Sequence, residues 1–238
     1  MRTYSFLFYP PGLFLICFIP AGMIAALLQQ TAGIDVRISL SLCYLSMCLW
    51  YGLGKRRSLH LGPIPWVRTA LLSLLCLGIT GGVLVLLGSK ALGTLSLTYY
   101  VGFAGWSLAV AALAEELLFR EYLITRMRAL GWSFWKITLL SAVLFSLCHQ
   151  PETWSLFGKR LVLGFLFAWL YYKTDDLALC VAAHWTYNFI VCTLQQCYQE
   201  LEAAYSLERI GLIMVACGGV LLGTILVFCL NKVKFVRF

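Results

Sequence analysis

Three polar groupings interrupt the apolar runs of this chain at spacings that could do chemistry. Glu115 and Glu116 are adjacent, with Arg120 four residues beyond Glu116. Phe145 stands four residues before His149, and His184 four residues before Asn188. An interval of four places both members of a pair on one helix face. Ionisable groups at membrane depth cost roughly 2.5–3.5 kcal/mol each on insertion scales, so their presence points to function. Adjacent helical residues point about 100° apart, so Glu115 and Glu116 cannot share one role. Glu116 has Arg120 at i+4, the favourable order for an ion pair, and structural pairing accounts for it as well as chemistry does. Position 119 is Phe, which leaves Glu115 without such a partner. Glu115 is therefore the candidate catalytic acid/base, a carboxylate placed to take a proton from water.

Of the three histidines, His60 lies in a basic loop, whereas His149 and His184 lie inside apolar runs. A lone buried histidine is more often a satisfied core residue than a catalyst. Two of them beside an intramembrane glutamate pair shift the balance towards a site. Phe145 can cover the His149 imidazole and keep lipid away. The His184 imidazole and the Asn188 carboxamide, aimed at one point, can donate hydrogen bonds to a developing oxyanion. Zinc is the competing chemistry, since His149, His184 and a glutamate form an acceptable ligand set with water in the fourth position. No HExxH motif supplies two ligands from one turn, and Asn188 would be idle, so zinc is the lesser alternative to a site without cofactor. Cys148, beside His149, offers a thiol nucleophile for transpeptidation, disfavoured because consecutive helical residues face different ways. The ten cysteines otherwise scatter through apolar runs without a CxxC pair and read as small buried hydrophobes.

The elements that must position these residues follow from composition. The chain is 61% hydrophobic and 12% charged, with mean hydropathy +0.87, about half the charged fraction of a soluble domain. This predicts an all-α polytopic membrane protein, one integral membrane domain over 1–238, with its catalytic core at about 97–196. Candidate spans recur at about 5–29, 38–54, 66–88, 97–119, 137–150, 157–172, 177–196 and 209–230. About eight transmembrane helices would thus enclose an intramembrane polar cavity. The fifth and sixth are short, and Gln150, Pro151 and Glu152 break between them, as helices do that end in a cavity rather than in lipid. The N-terminal run reads as an uncleaved first span.

The net charge of +8 reads as a topology signal, because the basic residues cluster in short loops and nothing resembles a nucleic-acid-binding module. With both termini in the cytoplasm, 13 of the 18 Lys and Arg fall inside, leaving Arg37, Lys90, Lys159, Arg160 and Arg209 outside. Glu121 to Lys136 mixes Arg, Trp and aliphatics like a helix lying in the cytoplasmic interface, with Gly131 as a break. His149 then lies roughly 20 Å along its span, and Glu115 near the cytoplasmic end of its own. The two meet only if the fourth helix tilts or continues past Arg120, or if the fifth begins below the interface.

The series EExxxR (Glu115, Glu116, Arg120), FxxxH (Phe145, His149) and HxxxN (His184, Asn188), in this order on consecutive membrane segments, resembles the CPBP family of intramembrane proteases. That family groups type II CAAX prenyl proteases with bacterial bacteriocin-processing and immunity-type membrane proteases. The resemblance covers about residues 97–196. It implies that Glu115 activates water with help from His149, without metal, and that His184 and Asn188 stabilise the tetrahedral oxyanion. Glu116, Arg120 and Phe145 support them. The substrate would be a membrane-associated peptide or protein: lipidated, a precursor, or C-terminally anchored in the lipid bilayer. The compact length leans towards a bacterial member, a multi-pass protein of the cytoplasmic membrane. A non-catalytic scaffold or immunity factor, or a proton-coupled carrier, is the rival reading. The full motif set and the lack of an internal repeat favour the enzyme.

Overall fold

The structure, a computed structural model, describes residues 4–35, 37, 40–54 and 95–196. Among these residues there are helices and turns and no strand. A 3-10 turn, Ser5–Phe8, leads into α1 (Tyr9–Ala32), followed by α2 (Ser41–Gly54). Then come α3 (Tyr99–Ala129), α4 (Phe134–Cys148), α5 (Trp154–Thr174) and α6 (Leu177–Gln196). Ser5–Ala32 and Tyr99–Ala129 are long and apolar enough to cross a membrane. The expected spans at 66–88 and 209–230 lie outside the described residues. Of the others, 177–196 coincides with α6, and 5–29, 38–54, 137–150 and 157–172 agree with their helices to within a few residues.

Local sequence accounts for the helix ends. Pro10 opens the first turn of α1, where the missing N–H has no partner to lose. The α1 C-terminus closes on Gly33, which at φ 65° adopts the left-handed conformation open to glycine, its N–H bonded to the Gln29 carbonyl. Thr153 caps α5 by accepting the Leu156 N–H at 3.2 Å.

The expected span at 97–119 is corrected: α3 does not stop at Arg120 but runs on to Ala129. Of the expected interfacial helix from Glu121 to Lys136, the residues up to Ala129 are the last turns of α3, with Glu121, Tyr122, Leu123, Ile124 and Met127 buried, and Phe134 to Lys136 open α4. Two of its charges, Glu121 and Arg128, are taken up across helices. The Tyr171 hydroxyl donates to Glu121 at 2.7 Å; Arg128 pairs with Asp175 at 2.6 Å and donates to the Tyr172 carbonyl. Gly131, at φ 72°, does break the chain, and α4 returns antiparallel. This continuation settles how Glu115 and His149 meet. One lies about four turns before the end of α3, the other about four turns past the start of α4.

Two stretches of α3, Tyr99–Ser107 and Leu117–Tyr122, are π-wound. Such winding disturbs the regular ladder and is frequent at functional sites. In each stretch a neighbouring helix donates to a carbonyl: Trp185 Nε1 to Ala104 at 2.9 Å, and Ser141 Oγ to Phe119 at 3.0 Å. Lipid is as apolar as leucine, so close packing and polar ties must hold membrane helices together. Gly164 supplies one close approach, where a Cβ would stand 3.0 Å from Ala142 Cα and 3.1 Å from the Phe145 ring.

Candidate active site

Glu115 and Glu116 sit mid-way along α3, just before the second π-wound stretch, and are 3% and 0% exposed. His149 caps α4, and His184 lies two turns into α6 at 3% exposure. The three helices bring these four side chains together. His149 Nε2 lies 3.3 Å from Glu115 Oε2, and His184 Nε2 lies 3.8 Å from the same oxygen. His184 Nδ1 lies 2.8 Å from Glu116 Oε1. His184 thus bridges the two glutamates, and His149 is the most exposed of the four, its side chain 23% accessible.

The partners fix the tautomers. A carbonyl oxygen can only accept, so His149 Nδ1, 2.7 Å from the Phe145 carbonyl, carries its hydrogen. His149 Nε2 and Glu115 Oε2 can then attract each other only with a proton between them. His184 Nδ1 likewise donates to the Glu116 carboxylate. The two carboxylates and the Arg120 guanidinium sum to one negative charge.

Arg120 is wholly buried and lies 3.1 Å from Glu116 Oε2 through Nε. The two atoms are not aligned for a hydrogen bond, so the contact is an ion pair by proximity. The guanidinium also donates to the Gly164 carbonyl at 3.3 Å and stands over the Phe145 and Phe167 rings at 4.6 and 5.5 Å. Phe145 meets both imidazoles, at 4.5 Å from the His149 ring and edge-on at 5.8 Å from His184. Phe167 stacks on His184 at 4.9 Å.

The reading of Glu115 as partnerless is corrected. Its i+4 position is indeed Phe, but its partners come from α4 and α6 rather than from its own helix. Glu115 Oε2 is buried without an aligned hydrogen-bond donor, so it retains accepting capacity. Asn188 lies half-buried one turn beyond His184, and its side chain makes no hydrogen bond among the described residues. Cys148 is a half-buried free thiol. Among the described residues no group of three or more His, Cys, Asp or Glu is arranged to hold a metal ion. Sequence reasoning missed Phe167 and Gly164, which lie in an apolar run whose sequence carries no sign that its residues touch the site. It also missed Arg160, whose charge was spent on topology.

Residues 96–190 match the family described as type II CAAX prenyl endopeptidase, Rce1-like. The matched stretch contains all seven motif residues, from Glu115 to Asn188. No curated protein and no solved structure matches the chain.

Proposed function

From the premise that residues 96–190 are of the Rce1-like type II CAAX prenyl endopeptidase family, we propose that the chain is a metal-free intramembrane endopeptidase using glutamate-activated water. The observation that carries this reading is the convergence of two imidazole Nε2 atoms on one buried carboxylate oxygen, at 3.3 and 3.8 Å. Glu115 takes a proton from water, and the hydroxide attacks the carbonyl of an extended substrate segment. His149, whose Nε2 faces Glu115, shares that proton and with Glu115 delivers it to the leaving amine. His184 donates from Nε2 to the oxyanion, with Asn188 beside it. With Nδ1–H committed to Glu116, donation from Nε2 requires the imidazolium form of His184. Glu116 and Arg120 hold His184, and Phe145 covers both rings.

The substrate in this reading is a membrane-associated peptide or protein cleaved near the bilayer: lipidated, a precursor, or C-terminally anchored. The protein is a multi-pass one with both termini in the cytoplasm, in a bacterial cytoplasmic membrane. The test is cleavage of a membrane-anchored peptide library by purified protein. Glu115→Gln is expected to abolish turnover, and His149→Ala to lower it by about 100-fold or more, with both variants folded and inserted. Full activity in Glu115→Gln would sink the mechanism.

A further inference from the structure

We propose that Arg160, on α5, is a positioning residue for His149, fixing the main chain of the α4 terminus so that the ring stays on Glu115. The inference rests on the endopeptidase reading for its kinetic consequence, but its structural part stands without it.

His149 is the last residue before the chain leaves α4, at φ −85° and ψ 4°, and its own carbonyl has left the helical ladder. Arg160 Nη1 donates to that carbonyl at 2.7 Å, across eleven residues of chain. The next residue, Gln150, stands at φ 46°, in the left-handed region that side-chain-bearing residues rarely adopt. A helix end of this kind usually relies on glycine; here an arginine from the following helix does the holding. At the other end of the residue, Nδ1 is tied to the Phe145 carbonyl at 2.7 Å. The residue is thus tied at both ends, and together the two ties hold Nε2 towards Glu115.

Arg160 is half-buried and has no carboxylate partner among the described residues. It is therefore not serving an ion pair there. Nor is it needed to close the α4–α5 hairpin. Ser146 Oγ donates to the Phe157 carbonyl at 2.9 Å, and Gly164 packs directly on Ala142. Removing the guanidinium should loosen His149 and leave the helices in place.

The experiment compares Arg160→Met, Arg160→Lys and Arg160→Met with Gln150→Asn in the purified full chain. Asparagine tolerates the left-handed conformation, so it should restore the turn without the guanidinium. Arg160→Met is expected to lower kcat about 10-fold with KM within about twofold. Lysine, which keeps one donor, and the Gln150→Asn background should each recover part of the loss. Histidine-ring 15N spectra read the same claim whether or not any peptide is cleaved. His149 should lose its single Nδ1–H tautomer in Arg160→Met, while the His184 signals stay. A raised KM at unchanged kcat would make Arg160 a substrate contact instead. Unmoved His149 signals, or equal changes in both histidines, would overturn the positioning role.

Discussion

Arg120→Met removes a guanidinium from a place closed to solvent, since the Arg120 and Glu116 side chains are both fully buried. Methionine keeps most of the apolar contact with Phe145 and Phe167 but leaves Glu116 with the His184 ring as its remaining partner among the contacts described. Breaking a buried pair from one side costs about 3–5 kcal/mol, because the surviving charge is uncompensated. At roughly 2–4 °C per kcal/mol for a chain of this size, the midpoint of thermal unfolding should fall by about 6–20 °C. Glu116→Gln in the same background removes the stranded charge. The double variant should therefore be more stable than Arg120→Met alone, by about 2 kcal/mol. Tryptophan fluorescence on heating in detergent, for all four proteins of the cycle, measures this coupling. The reasoning is refuted if Arg120→Met stays within about 1 kcal/mol of wild type, or if adding Glu116→Gln destabilises it further.

Three further outcomes are expected. Gly164→Ala places a Cβ 3.0 Å from Ala142 Cα and 3.1 Å from the Phe145 ring, so α4 and α5 must part. It should cost about 1–3 kcal/mol and lower kcat through Phe145, read by unfolding and cleavage assays. Tyr171→Phe deletes the 2.7 Å hydrogen bond to buried Glu121 and should cost about 1.5–3 kcal/mol in the same unfolding assay. The loop between α1 and α2 gives a pH signature. The hydrogen bond from Arg37 holds the Asp35 carboxyl below its ordinary value of 3.8, and Arg37 reaches on to Gln196 at 2.9 Å. Stability from a depressed carboxyl is present above its unfolded value and lost as pH falls through the folded one. Wild type should therefore exceed Asp35→Asn at pH 7, with the gap closing as the pH drops below about 4.

What the sequence carried depended on how local the cause was. α6 begins where its span was expected to begin, at Leu177, because the apolar run starts directly after Asp175–Asp176. The pairing of Glu116 with Arg120 was legible for the same reason, being an i,i+4 relation within one helix. Glu121 to Ala129 was misjudged because Glu121 and Arg128 look like surface charges. The residues that make burial tolerable, Tyr171, Tyr172 and Asp175, lie more than 40 positions away. Glu115 was read as partnerless by the same local logic, whereas its contacts reach to α4 and α6. His184 was expected to aim with Asn188 at one point, and local spacing gave no sign that its Nδ1 would meet Glu116 or that its ring would stack on Phe167. Residue types marked the candidate cluster; only packing shows which of its atoms meet.

The most direct test of the glutamate mechanism is cleavage by wild type and Glu115→Gln, each with and without chelator, on protein whose metal content has been measured. Wild-type cleavage that survives chelation without stoichiometric metal, together with an inactive Glu115→Gln, is the expected result. Stoichiometric zinc, lost together with activity on chelation, would contradict it and make His149, His184 and a glutamate into ligands.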